Sequence, residues 1–145
     1  MKKGVDYTGV GVCTVIVNNN GEIFLGKRGR DSRNQIGFWS IPGGGVRFGE
    51  KLAEAITREV KEENDISIEL LEQLPAIDHL ILSEKQHWVT TPFVAKIKNG
   101  QTPKIMEQNK CDEIGWFTLN NLPKPHGDAS ANAIKNYKKY YLKNN

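Results

Sequence analysis

A mixed α/β fold is predicted by three features of this sequence. Apolar runs with strand character recur at residues 10–18, 22–27, 67–74 and 88–98. Asn/Gly turn chemistry follows the first and the last of them, at Asn18-Asn19-Asn20-Gly21 and Asn99-Gly100. Between these strands, residues 51–64 carry apolar positions at helical spacing. At 145 residues, 38% apolar and 26% charged, the chain is expected to form one soluble domain over residues 1–145.

In order along the chain, residues 10–18 read as a buried strand and 22–27 as its neighbour across the turn. Residues 28–37 are a polar loop, and 38–41 a short strand. Ile41-Pro42 then opens into Gly43-Gly44-Gly45, read as a loop whose bare backbone can approach a ligand. No Gly-Lys-Ser/Thr follows, so it is not a P-loop, and no Gly-x-Gly-x-x-Gly is present here. Residues 67–74, 88–98 and 114–119 are strands. A last helix is capped by Asp128 or Ser130 and carries a stripe of Ala133, Tyr137, Tyr140 and Tyr141, read as packed on the domain.

The phase of the helix at residues 51–64 is the most informative feature. Leu52, Ala55 and Ile56 fall on one side, with Val60 and Ala53 at its edge. Glu59 lies three residues beyond Ile56, and Glu63 four beyond Glu59, so both continue the apolar stripe. Glu62 flanks them, next to Arg58. Like charges at these spacings cost about 0.2–0.5 kcal/mol per pair. An acidic patch on a solvated helix would lie opposite Leu52 and Ile56. Carboxylates turned inward must be paired or hold a cation, and one arginine is too little for three of them. Oxygen donors of this kind suit Mg²⁺ or Mn²⁺.

Gly44, five residues, Glu50, seven residues, then Arg58-Glu59-Val60-Lys61-Glu62-Glu63-Asn64-Asp65-Ile66 resembles the Nudix box, over residues 44–66. The family has glycine where this chain has Asp65, a residue that tolerates the left-handed conformation and can end the helix there. Leu25-Gly26-Lys27-Arg28 and Trp39-Ser40-Ile41-Pro42-Gly43-Gly44 extend the likeness upstream. His87-Trp88-Val89-Thr90, the run from Met106 to Phe117, and Asn121-Leu122-Pro123-Lys124-Pro125 resemble the nucleoside-triphosphate-cleaving branch of that family.

The resemblance implies a mixed sheet in an α/β/α sandwich with a catalytic loop-helix-loop. It implies Mg²⁺-dependent hydrolysis of a (deoxy)nucleoside triphosphate to monophosphate and pyrophosphate, an oxidised purine such as 8-oxo-dGTP being one candidate. A nucleotide sugar or dinucleoside polyphosphate is the alternative. A non-catalytic nucleotide sensor is disfavoured by the intact carboxylates. Glu59 and Glu63 become the main metal ligands, and Glu62 a further ligand or the general base. Arg58 orients Glu59, Glu50 braces the loop, and the backbone of Gly43 or Gly44 adds a carbonyl ligand. Glu107 is the candidate ligand or base outside the box. Lys27 and Arg28 reach substrate phosphates or are solvated. Relatives in this branch are often dimers.

Other readings are bland. His79 and His87 are structural or contact substrate and are left out of catalysis, and Phe38, Trp39 and Trp88 pack in the core or stack on a base. Cys13 and Cys111 have no zinc spacing and form no disulfide framework. A net charge of +3, mild and scattered, is a poor argument for a nucleic-acid polymer as partner. No apolar run approaches a membrane span, and the Met1-Lys2-Lys3 start lacks a signal peptide's hydrophobic region, so a cytoplasmic location is expected.

Overall fold

The structure is a computed structural model that describes residues 1–144. In chain order the elements are β1 (Gly9–Ile16), β2 (Ile23–Arg28), β3 (Trp39–Ser40), β4 (Gly43–Gly45), α1 (Leu52–Asn64), β5 (Ile68–Gln73), β6 (Ile77–Ile81), β7 (Gln86–Ile97), β8 (Cys111–Phe117) and α2 (Asp128–Asn136). A π-type segment, Tyr137–Tyr141, continues α2.

From Gly11 to Ile16, strand β1 is buried because both its faces are covered. Successive side chains alternate: Val12 and Ile16 pack with Ala55, Ile56 and Val60 of α1, whereas Cys13 and Val15 pack with Ala133 and Ile134 of α2. The next strand splits likewise, with Phe24 on the α1 side and Ile23 and Leu25 on the other. The two helices therefore sandwich the strands, with one apolar cluster under each.

The strands form two sheets. In one, β1 pairs antiparallel with β4 and parallel with β7. The far edge of β7 carries β6 along its first half and β5 along its second, both antiparallel. The other sheet is antiparallel, in the order β3-β2-β8. The parallel β1–β7 pair needs a long crossover, and α1 lies within it.

Four expectations are corrected. The triple glycine is strand, because Gly43, Gly44 and Gly45 pair with Cys13, Val12 and Gly11. Residues 77–81, unassigned from the sequence, form β6 by pairing with β7. The strand expected at 114–119 runs from Cys111 to Phe117, drawn towards its N-terminus by pairing with β2. Neither Asp128 nor Ser130 caps α2. The cap position is Gly127, with no side-chain hydrogen bond, while Asp128 accepts from Gln35 Nε2 (3.0 Å) and Ser130 Oγ accepts from the Ile41 N–H (3.1 Å). The tyrosine stripe packs in part: Tyr137 is buried and stacks on Tyr141, but Tyr140 is turned outward. Both cysteines are free thiols. No helix among the described residues is long and apolar enough to cross a membrane.

Ile56 is fully buried between α1 and the sheet. Ile56→Ala is expected to lower the unfolding free energy by about 2–5 kcal/mol, read from urea denaturation. A loss within ordinary surface-substitution range would show that the helix is not packed here.

Candidate active site

The site begins where β4 ends. Arg47 to Glu50 form a tight turn, closed by Glu50 N–H donating to the Arg47 carbonyl (3.0 Å), with Gly49 at φ +83°. The turn aims the Glu50 carboxylate back at α1. There Arg58 donates to it through Nε (2.6 Å) and Nη2 (2.9 Å), a two-pronged contact. The same guanidinium donates from Nη1 to Glu59 (2.9 Å) and Glu62 (3.2 Å), and from Nη2 to the Gly45 carbonyl (3.1 Å). One arginine thus gathers three carboxylates, more than its single charge suggested. Arg47 adds a longer contact to Glu62 (3.4 Å).

The two inward glutamates occupy different environments. Glu59 lies against Gly44, where any side chain would collide with its carboxylate, so the middle glycine of β4 is there to admit it. Glu63 is deeper. One of its oxygens, Oε1, is buried without a hydrogen-bond partner. Burial pushes its carboxyl up to about 8, helped by the charges of Glu59 and Glu107 and opposed by Arg28 and the Gly43 N–H. Burial also raises Glu59, against the pull of Arg58. Glu50 goes the other way, down to about 2, because Arg58 and the Arg47 N–H hydrogen-bond its ionised form. Glu62 is 45% exposed at the mouth.

Helix α1 ends as its sequence suggested. Asp65 adopts a left-handed conformation (φ 54°, ψ 40°), and its N–H bonds the Lys61 carbonyl (3.0 Å). Beyond the helix, Lys104 and Met106 N–H groups bond the Asn64 and Glu63 carbonyls at 2.9 and 3.1 Å. These bonds bring Glu107 beside Glu63, in the same cleft. Lys110 pairs with Glu107 at 3.3 Å.

Lys27 and Arg28 line this cleft from the end of β2. Arg28 is held by the Asn34 carbonyl (2.7 Å) and faces the charge of Glu63; burial lowers its pKa. Gly43 lines the cleft as well. Trp39 packs edge-on against Phe117, and Trp88 is buried, so neither offers a free face for a base. His79 is buried in the opposite wall, and His87 bonds Thr8.

Among the described residues, no three His, Cys, Asp or Glu side chains are already gathered as a closed metal cage. The donor chemistry still fits a divalent cation. An unpartnered buried carboxylate oxygen, a second carboxylate seated on bare backbone and a third open to the cleft are hard oxygen donors along one wall.

The NUDIX domain family profile matches residues 7–137. The chain belongs to the Nudix family. The RNA pyrophosphohydrolase of Orientia tsutsugamushi (strain Boryong) is 31% identical over 126 residues, covering 86% of this chain and 67% of that protein. The ADP-ribose pyrophosphatase of Methanocaldococcus jannaschii is 28% identical, covering 75% and 62%. The 8-oxo-dGDP phosphatase NUDT18 of Mus musculus is also 28% identical, covering 86% and 36%. The chain spans about two thirds of the first two proteins and about a third of the last. A MutT NUDIX hydrolase structure from Burkholderia pseudomallei superposes with a TM-score of 0.82 at 31% identity, over 90% of this chain and 98% of that one. In this Nudix hydrolase, residues 44–66 are therefore β4, the turn and α1 in succession.

Sequence reading missed one part of the cleft. Lys3, Arg33, Gln35 and Gln86 line it, from the N-terminal segment, the β2–β3 loop and β7. They belong to no periodic pattern, and only Arg33 and Gln35 carried a signal, their place in the polar loop at residues 28–37.

The Glu63 carboxyl gives a pH signature. In the native state its pKa lies near 8; unfolded, it loses its proton around the ordinary value of 4.5. Between those values the native state binds the extra proton, so this group's contribution to stability declines as pH rises from about 4.5 to about 8. Metal-free Glu63→Gln is expected to match wild type in Tm below this window and to exceed it above. Parallel Tm curves across the whole range would show that Glu63 is solvated.

Proposed function

We propose that this chain hydrolyses the diphosphate linkage of a (deoxy)nucleoside triphosphate, releasing the monophosphate and pyrophosphate, with Mg²⁺ or Mn²⁺ as cofactor. The single observation that carries the reading is the buried, unpartnered oxygen of Glu63 beside Glu59 on a cleft wall lined by Arg28. Glu59 and Glu63 would hold the cation, with Glu107 close enough to join them. Bound there, a divalent cation neutralises phosphate oxygens and lowers the pKa of water.

The protein's own groups do the rest. Arg58 fixes Glu59 from behind and partly offsets the upward push of burial on its carboxyl. Glu50 anchors Arg58 and has no free edge left for substrate. Glu62, half-exposed at the mouth of the cleft, would take a proton from the attacking water at Oε1, which, among the described residues, only the longer Arg47 contact (3.4 Å) touches. Arg28 and Lys27 offer positive charge to the phosphates from the facing strand. Charge supplied from fixed groups suits phosphoryl chemistry, where positioning and electrostatics carry most of the catalysis.

The relatives act on several phosphate-linked compounds, as their names say. An oxidised purine nucleotide is favoured by likeness to the 8-oxo-dGDP phosphatase. A nucleoside diphosphate sugar is the second reading, supported by likeness to the ADP-ribose pyrophosphatase. We further propose that the protein works in the cytoplasm and forms a homodimer.

A product screen that reads the monophosphorylated product and the pyrophosphate or sugar phosphate released, over canonical, oxidised, sugar-linked and RNA-5′-linked substrates, decides among these. Triphosphates are expected to give the highest kcat/KM, and EDTA to abolish turnover. Glu62→Gln is expected to lower kcat by roughly 10²–10⁴-fold with KM little changed. Wild-type kcat in Glu62→Gln would reassign the base, and turnover that survives EDTA would remove the metal.

A further inference from the structure

The cations that line the cleft are not equivalent. Arg47 pairs with Glu62, Lys110 pairs with Glu107, and Arg28 faces Glu63. Lys3 and Arg33, like Lys2 and Lys27, form no ion pair among the described residues, although Arg33 feels the charge of Glu59. Yet both sit against the same backbone position. A side chain begun at Gly45 would meet Lys3 Nζ at 2.9 Å and Arg33 Nη1 at 3.2 Å. Two like charges are thus brought together over the last residue of β4, next to the strand position that seats Glu59.

This arrangement is built, not a chance of long side chains. Trp88 is the support for both cations. Arg33 lies over its ring, 4.4 Å from the centroid. Gly4 and Gly9 press on the same indole so closely that a side chain at either would collide with it. The N-terminal segment is further fixed by Gly4 N–H to the Tyr7 carbonyl (2.6 Å) and His87 N–H to the Gly4 carbonyl (2.8 Å). Lys3, adjacent to Gly4, is thereby carried over β4, where Nζ donates to the Val46 carbonyl (3.3 Å). Trp88 Nε1 is tied to Gln86 (2.9 Å), whose amide donates to the Arg33 carbonyl (2.9 Å). Two cations held this close repel one another, weakly where water screens them, and an anion between them would relieve that repulsion.

We propose that Lys3 and Arg33 form a phosphate subsite at the mouth of the cleft. It takes a phosphate of the substrate chain other than those held at the carboxylate wall, and so selects triphosphates over diphosphate-linked sugars. The proposal rests on the triphosphate reading above for its substrate, but its binding chemistry is independent of turnover. No bond is made or broken there. Lys3 supplies a compact ammonium, and Arg33 a planar fork that the indole keeps in place.

Two measurements on the full chain test it. Calorimetry with inorganic tripolyphosphate, without metal, is expected to show binding that weakens about tenfold or more in Lys3→Gln/Arg33→Gln and recovers in Lys3→Arg/Arg33→Lys. Equal affinity in wild type and the double glutamine variant, or no binding to wild type, overturns the subsite. In the kinetic arm, the ratio of kcat/KM for a nucleoside triphosphate to that for a nucleotide sugar is expected to fall in Lys3→Gln alone, at unchanged Tm. An unchanged ratio overturns the selectivity. A wild type that cleaves no triphosphate sinks the substrate reading instead, and calorimetry then decides the subsite by itself.

Discussion

The guanidinium of Arg58 is the contact on which the site depends. It joins three pieces of chain that would otherwise be free to separate: the turn through Glu50, the helix through Glu59 and Glu62, and strand β4 through the Gly45 carbonyl. Its side chain is only 18% exposed, and so is shielded from competing water. The planar fork allows this, since separate N–H groups point at separate acceptors. A lysine would offer one point of charge and could not span the same set. The consequence shows in Glu50 and Glu59, which touch the same cation yet shift in opposite directions. At Glu50 hydrogen bonding dominates; at Glu59 burial does.

What Arg58 does not reach matters as much. Glu63 lies one helical turn beyond Glu59, past the span of the guanidinium, and its burial is compensated only in part by Arg28. The cleft therefore has an acidic wall with one unsatisfied oxygen and, across β4, a basic rim of Lys3 and Arg33, neither of which is ion-paired among the described residues. Strand β4 serves both. Its middle glycine makes room for the Glu59 carboxylate, and its last glycine makes room for two cations. Gly43 is as constrained, because a side chain there would strike β1. Three glycines that read as a loop open to a ligand are instead a strand, kept bare to leave space for its neighbours.

Helix α1 was legible because its information is local. Periodicity put Ile56 and Val60 inward, and three- and four-residue steps carried Glu59 and Glu63 with them. Asp65 at the helix end could be read from its tolerance of positive φ. Strands β4 and β6 were not legible. Neither has an apolar alternation strong enough to announce it, and both exist because β1 and β7 present free edges to pair with. The capping residues expected for α2 failed for a related reason: Asp128 and Ser130 found partners in Gln35 and Ile41, distant in sequence, that outbid the local helix end.

The sequence by itself determined the family likeness, the inward phase of the carboxylates and the mixed α/β character. These follow from residue spacing within one helix or strand, where geometry is set by the backbone period. Only the tertiary structure decided that Arg58 serves Glu50, Glu59 and Glu62 together, that Glu107 comes beside Glu63, and that Lys3 meets Arg33 over Gly45. Each of those contacts joins segments separated by turns and strands. Their meeting depends on sheet register and on the packing of Trp88, which no local period encodes.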